Sequence, residues 1–151
     1  MANLHGKLEA EVELKSPADQ FFKFWRSETH KLPTVSSNNV QGINLHEGDW
    51  DQHGAIKIWN YTVDGKSEVF KEKVEFDDDN MLVTLQGVEG HVYDEYKVYK
   101  PVCKVVPKEK GSVAKLSIEY EKYKESDPNP DKYMAVFIET TKDIDVHVSS
   151  A

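Results

Sequence analysis

The sequence predicts an α+β fold in which one antiparallel sheet of seven strands packs against a long C-terminal helix. Apolar and polar residues alternate with a period of two in one segment near the N-terminus and in six more between residues 39 and 123. From residue 131 to about 148 the apolar spacing changes to that of a helix. A chain of 151 residues suits one domain, so we expect a single domain over residues 1–151.

The first strand and the short helices after it are predicted from residues 4–35. Apolar residues occupy every second position of residues 8–14, with charged residues between them, which indicates a strand with one solvated face. The segment SPADQFFKFWRSE then indicates a short helix, with Ser16 as its N-cap and Pro17 at the first helical position. In THKLPTVSS we expect Pro33 to break or kink any helix. Two short helices are therefore expected after the first strand.

The other six strands follow one another with short turns between them, as in an antiparallel sheet. Asp64-Gly65 is a typical two-residue hairpin turn, and DDDN and KEKG indicate two further turns. The strands are predicted at residues 40–46, 55–63, 66–76, 81–90, 92–106 and 112–123.

The C-terminal helix has an apolar face that only the sheet can cover. A helix of 18 to 20 residues is roughly 30 Å long, and seven strands at about 4.8 Å spacing make a sheet of similar width. Because a helix is only about 10 Å across, it cannot fill the concave side of a curved sheet. We expect the short helices to close one end, which leaves an internal apolar cavity. The apolar positions of the long helix are Met134, Phe137, Ile138, Thr141, Ile144 and Val148.

Composition excludes several classes of function. The formal net charge is -8 and the lysines alternate with acidic residues, so no basic face is available for nucleic acid. No apolar run approaches the roughly 20 residues that span a bilayer, and the N-terminus lacks the apolar core of a signal peptide. The single cysteine, Cys103, excludes an intramolecular disulfide. We expect a cytoplasmic monomer or weak dimer with no cofactor, no nucleic-acid partner and no membrane insertion.

Four segments resemble the plant major latex protein group of the Bet v 1-like, pathogenesis-related class 10 superfamily. They are NVQGINLHEGDW, GAIKIWNYTVDGK, VEG at 88–90 and LSIEYEKYKE, and the similarity extends over essentially the whole chain. The resemblance implies the helix-grip fold, a curved seven-stranded antiparallel sheet around a long C-terminal helix with an apolar cavity inside. It also implies a ligand such as a lipid, steroid, flavonoid or plant hormone, and a role in defence or stress. A few proteins of this superfamily are enzymes.

Residues 46–54, HEGDWDQHG, combine His, Asp, Glu and Gly between two predicted strands. Their side chains could bind a metal ion, but the spacing matches no recognised ligand motif, and a solvated turn explains them more simply. The segment corresponds to the glycine-rich loop of the similar family. It lacks the Gly-Lys-Ser/Thr sequence and the following helix of a phosphate-binding loop. We therefore expect no metal site, and we interpret the loop as an exposed entrance rim that contains Trp50.

Glu72 is the candidate for acid-base chemistry. It alternates with Phe70 and Val74, so it points inward unless a bulge reverses the strand, and burial would raise its pKa. Cys103 points inward if Val105 does. It is therefore interpreted as a small core residue and not as a nucleophile.

Tyr93, Tyr96 and Tyr99 are spaced three apart, as on one face of a helix. Such tyrosines could stack nucleic-acid bases, but the acidic chain has no basic patch to bind phosphates. Because the resemblance places the end of this stretch in a strand, we expect a bend near Asp94-Glu95.

These observations favour a non-catalytic carrier or sensor of a hydrophobic or amphipathic small molecule. The alternative is an isomerase or condensing enzyme on the same fold with Glu72 as acid or base, and a hormone-dependent interaction module is a third possibility. Tyr and Thr hydroxyls would orient a polar group of the ligand while apolar walls supply affinity. The predicted ligand-binding residues are Phe22, Trp25, Trp59, Tyr61, Phe70, Glu72, Val74, Val83, Leu85, Tyr99, Cys103, Leu116, Ile118, Tyr120, Met134, Phe137, Ile138 and Thr141.

Overall fold

The computed structural model describes residues 4–150, and the predicted α+β class and strand order are confirmed. Each alternating segment forms a strand, and the last apolar stripe forms the long helix. The elements are β1 (His5–Leu14), α1 (Ala18–Ser27), a 3₁₀ turn (Thr29–Lys31), α2 (Leu32–Val35), β2 (Val40–Glu47), β3 (Ile56–Val63), β4 (Lys66–Asp77), β5 (Leu82–Gly90), a second 3₁₀ turn (His91–Asp94), β6 (Tyr96–Pro107), β7 (Ser112–Lys122) and α3 (Asp131–Ser149).

The seven strands form one antiparallel sheet in the order β1-β7-β6-β5-β4-β3-β2. The first strand therefore pairs with the last, and β2 lies at the opposite edge. The predicted hairpin turn between β3 and β4 is confirmed, because Asp64 and Gly65 have φ of 52° and 75°, as a type I′ turn requires. In the β3–β4 ladder that follows from this turn, Lys57 lies directly opposite Glu72.

The curved sheet grips α3, as predicted. The helix contacts α1 and α2 as well as β1, β3 and β7, so it crosses the concave side of the sheet. Aromatic and aliphatic side chains from α1 and α3 and from the inward face of the strands form one continuous core. Within residues 4–150, no helix is both long enough and apolar enough to cross a membrane.

The C-terminal half of α3 is fixed to the start of the chain by a buried carboxylate. Asp145 accepts hydrogen bonds from the backbone N–H groups of Lys15 and Ser16, at 2.9 and 3.0 Å, and from the Ser16 hydroxyl at 2.6 Å. The prediction that Ser16 caps α1 is therefore wrong. Pro17 occupies the N-cap position, and no side chain caps the helix. The Ser16 hydroxyl is used in the tertiary contact instead.

Two other local predictions need correction. Pro33 does not break a helix but lies in the first turn of α2, where its missing N–H removes no intrahelical hydrogen bond. The strand predicted at residues 92–106 begins only at Tyr96, because residues 91–94 form a 3₁₀ turn that buries Val92. The bend expected near Asp94-Glu95 is thus confirmed.

Candidate functional site

An apolar pocket of about 60 Å³ lies between the concave face of the sheet and the N-terminal half of α3. Strands β2 to β6 and helix α1 supply its other walls. Pockets that hold drug-sized ligands have volumes of roughly 300–1,000 Å³. A molecule of that size can therefore enter only if the walls move. The lining residues are Trp25, Val40, Trp59, Tyr61, Phe70, Leu85, Tyr99, Pro101, Tyr133, Val136, Phe137 and Thr140.

The structure divides the predicted ligand-binding residues into two sets, and their role in binding stays a prediction. Those that line the apolar pocket are Trp25, Trp59, Tyr61, Phe70, Leu85, Tyr99 and Phe137. Those that are buried away from the pocket are Phe22, Glu72, Val74, Val83, Cys103, Leu116, Ile118, Tyr120, Met134 and Thr141. Ile138 is half-buried at the edge of the core.

Several residues that line the pocket are not among the predicted ligand-binding residues. On α3, Tyr133 and Thr140 lie outside the predicted apolar stripe. The spacing of Tyr133, Phe137, Thr140 and Ile144, which are four, three and four residues apart, places them on one helical face and would have identified them. The residues missed are Val40, Pro101, Tyr133, Val136 and Thr140.

Tyrosine hydroxyls and carboxylates cluster beside the pocket. Tyr61 and Tyr133 donate hydrogen bonds to Glu68 Oε1 at 3.3 and 2.7 Å. The Tyr133 hydroxyl also lies 3.1 Å from Glu95 Oε2, which Lys132 Nζ approaches to 3.0 Å. Burial raises the pKa of both tyrosine hydroxyls, so they remain neutral hydrogen-bond donors. The polar groups of this cluster are therefore already paired with one another.

Glu72 points inward from β4 and is 1% exposed. Trp59 Nε1–H donates to Glu72 Oε1 at 2.5 Å, whereas Glu72 Oε2 has no hydrogen-bond partner. Burial raises the pKa of Glu72 to about 7, although the Trp59 hydrogen bond and the Lys57 charge oppose the increase. The inward orientation agrees with the alternation of β4, but Trp59 lines the pocket and Glu72 does not.

Lys57, opposite Glu72, is a buried lysine whose ammonium group is held by other residues. Its Nζ donates to Thr29 Oγ1 at 3.1 Å and to the backbone oxygen of Trp50 at 3.0 Å. Burial lowers the pKa of Lys57, and the nearby Glu72 carboxylate partly restores it. Lys57 therefore ties β3 to the first 3₁₀ turn and to the loop after β2.

The unpaired buried polar atoms of the described side chains occur in one region. They are Trp25 Nε1, Arg26 Nη1 and Glu72 Oε2. The Trp25 and Trp59 ring centroids are 6.3 Å apart, and the Arg26 guanidinium lies 4.4 Å from the Phe76 ring, on the same strand as Glu72. A buried polar atom without a partner costs about 1–3 kcal/mol. We call this region the inner polar cluster, and it consists of Trp25, Arg26, Lys57, Trp59 and Glu72.

The loop at residues 46–54 is not a wall of the pocket, so the prediction of an entrance rim is not supported. Trp50 is half-buried, with its ring 5.5 Å from the His30 ring, which corrects the expectation that it is exposed. His53 Nδ1 accepts a hydrogen bond from the backbone N–H of Phe76. In the part of the chain that the structure describes, no group of three or more His, Cys, Asp or Glu residues is arranged to hold a metal ion.

Cys103 is fully buried on β6. Burial raises the pKa of its thiol to about 12, so the nucleophilic thiolate is scarce at neutral pH. The structure thus agrees with the interpretation of Cys103 as a core residue.

Comparisons with known proteins agree with this architecture, in which a curved sheet grips a C-terminal helix. The model of the pathogenesis-related protein Bet v 1 family matches residues 3–151, so the chain belongs to this family. Among curated proteins it is similar to MLP-like protein 328 of Arabidopsis thaliana, with 44% identity over 147 residues and 97% of each chain covered.

Solved structures show the same relationship. The crystal structure of ginseng major latex-like protein 151 from Panax ginseng aligns with a TM-score of 0.91 and 34% identity, covering 96% of this chain and 98% of that one. A norcoclaurine synthase from Thalictrum, solved as a point mutant with a transition-state analogue, aligns with a TM-score of 0.74 over 98% of this chain and 96% of that one. At 21% identity the synthase shows a common fold and nothing more.

Proposed function

We propose that the protein binds a hydrophobic or amphipathic small molecule and acts as a carrier or sensor in a plant defence or stress response. The observation that supports the proposal most is the apolar pocket under α3. Aromatic side chains line it, and one of them, Trp25, has a buried indole N–H with no partner. An interior donor without an acceptor is costly in the empty protein and is available to a ligand.

Binding requires the pocket to widen. Its present volume of about 60 Å³ is too small for a steroid, a flavonoid or a lipid chain. The walls that must move are side chains of α1 and α3, because the strand backbones are fixed by the ladder of the sheet. Burial of ligand surface offsets the cost of this movement at roughly 25 cal/mol per Å² of apolar area.

The three tryptophans test the proposal as separate reporters. Trp25 and Trp59 line the pocket, whereas Trp50 packs on His30 outside it. We expect the emission of Trp25 and Trp59 to shift when an apolar ligand enters, and that of Trp50 to stay constant. Three proteins that each keep one tryptophan, with the others changed to Phe, would be titrated with fatty acids, steroids and phenolics. A response of Trp50 alone, or of none of them, would contradict the proposal.

Acid-base catalysis by Glu72 is the second candidate function. A pKa near 7 suits a general acid or base at neutral pH, and this is the observation in its favour. Against it, the carboxyl group does not line the pocket, so a substrate would reach it only past the edge of Trp59. Turnover of a bound compound by the wild-type protein, lost in Glu72→Gln, would establish catalysis. Saturable binding of the same compound without turnover would establish the carrier.

A further inference from the structure

Trp59 forms the boundary between the apolar pocket and the buried carboxyl group of Glu72. Its ring lines the pocket, and its indole N–H donates to Glu72 Oε1 at 2.5 Å. Opposite Glu72 in the sheet lies Gly87 of β5, and the Tyr93 hydroxyl occupies the space that a side chain at Gly87 would fill. Among the described side chains, Glu72 Oε2 is the buried oxygen without a hydrogen-bond partner.

The hydrogen-bonding groups that lack partners complement one another. Glu72 Oε2 lacks a donor, while Trp25 Nε1 and Arg26 Nη1 lack acceptors. A hydroxyl group can donate one hydrogen bond and accept two, so it can pair both with Glu72 Oε2 and with the N–H of Trp25, whose ring lines the pocket. A hydrocarbon would leave all three unpaired. A carboxylate would add a second negative charge beside buried Glu72.

The cationic groups near Glu72 already have partners of their own. Lys57, directly opposite, donates to Thr29 and to the backbone of Trp50. Arg26 Nε pairs with Asp78 Oδ1 at 2.9 Å, whereas its Nη1 is buried without a partner. No ammonium or guanidinium group among the described residues therefore neutralises Glu72 by direct contact, and the carboxyl group remains available to a ligand.

We propose, on the basis of the proposed function, that the ligand is an apolar molecule with a hydroxyl group at its buried end. The hydroxyl passes the edge of the Trp59 ring, donates to Glu72 Oε2 and accepts from Trp25 Nε1. The inner polar cluster thus selects the class of ligand, and the apolar pocket supplies most of the affinity.

A matched series of naphthalenes tests this inference. Equilibrium dialysis at pH 8, where the Glu72 carboxyl is ionised, would measure the affinity of the wild-type protein for 2-naphthol, 2-methoxynaphthalene and 2-naphthoate. The methoxy compound keeps an acceptor oxygen but cannot donate. We expect 2-naphthol to bind about tenfold more tightly than either, since a hydrogen bond to a charged group has this magnitude.

Glu72→Gln provides the second part of the test. The amide oxygen of the substituted side chain can accept from Trp59, which places the NH₂ group where the free carboxylate oxygen was. The preference for 2-naphthol should therefore fall to within about twofold. Glu75→Gln is the matched control, because Glu75 lies on the same strand and faces outward. Its preference should equal that of the wild type. If Glu72→Gln fails to fold, the affinities of the wild-type protein for the three naphthalenes are sufficient to test the proposal.

Two outcomes would overturn the inference. Equal affinity for all three compounds would show that the pocket binds apolar surface without regard to the hydroxyl. Tightest binding of 2-naphthoate would show that Lys57 and Arg26 recognise an anion. In either case the proposed function would stand. If none of the naphthalenes binds while the single-tryptophan proteins respond to other compounds, the hydroxyl site is wrong and the carrier function remains.

Discussion

Asp145 and Glu72 are both buried carboxyl groups, but their surroundings differ. Asp145, under the C-terminal half of α3, accepts three hydrogen bonds from Lys15 and Ser16. Glu72, behind the pocket under the other half, accepts one hydrogen bond and leaves its second oxygen unpaired. Buried polar groups with hydrogen-bond partners stabilise a fold, whereas a buried polar group without a partner lowers its stability. The Asp145 end of the molecule is therefore structural, whereas we propose that the Glu72 end binds a ligand.

Asp145→Ala should produce a large loss of stability. It leaves three donors without an acceptor inside the protein, and each unpaired donor costs about 1–3 kcal/mol, so we expect the free energy of unfolding to fall by about 4 kcal/mol. Urea denaturation would measure the loss. The exposed Glu139→Ala, on the same helix, should change stability by less than about 0.5 kcal/mol. A loss below about 1 kcal/mol for Asp145→Ala would show that the contact is not structural.

Phe24→Ala and Phe137→Ala should differ although both delete a buried ring. Phe24 is 0% exposed and does not line the pocket, so its loss should be in the usual range of about 3–5 kcal/mol. Phe137 has the pocket on one side of its ring, so its loss should be about 2 kcal/mol. The two variants would be compared by the same denaturation experiment. Equal losses would mean that the interior beside Phe137 is as tightly packed as the rest.

Glu72→Gln should change how stability depends on pH. The pKa of Glu72 is about 7 in the folded protein and about 4.5 in the unfolded chain, so the folded state holds the proton more tightly. The stability that the protonated Glu72 carboxyl group adds to the folded state is therefore fully present below about pH 4.5 and is lost as pH rises through 7. Relative to the variant, the wild type should lose about 2–3 kcal/mol over this range. Urea denaturation of both proteins from about pH 4.5 to 8, with Glu75→Gln as control, would measure it. If stability changed with pH in the same way in the wild type and in Glu72→Gln, the raised pKa of Glu72 would be contradicted.

Local patterns made much of the fold predictable. The Asp64-Gly65 turn and the inward direction of Glu72 depend on neighbouring residues, and both agree with the structure. The bond between Ser16 and Asp145 joins residues 129 apart, so nothing near Ser16 indicates that its hydroxyl is used there and not as a helix cap. Tyr133 differs from Ser16, because its spacing with Phe137 and Thr140 on α3 indicates that the three residues share one helical face.

Of the residues predicted to form the walls of the pocket, seven line it and the others lie elsewhere in the core. Alternation indicates that Trp59 points inward, but not that its N–H closes the pocket against Glu72. The small volume could not be predicted either, because it depends on how closely α3 approaches the sheet. Side-chain orientations and the distance between helix and sheet depend on tertiary packing, so the spacing of apolar residues in the sequence does not predict them.

Native mass spectrometry of the protein purified from its own tissue tests the central claim most directly. If the unsatisfied end of the molecule is a ligand site, the spectrum should contain the chain with one small molecule bound. Val136→Phe, which fills the pocket from a half-buried position on α3, should remove that adduct when expressed in the same tissue. A spectrum of bare chain only, under conditions in which a known lipid-binding protein keeps its ligand, would contradict the claim.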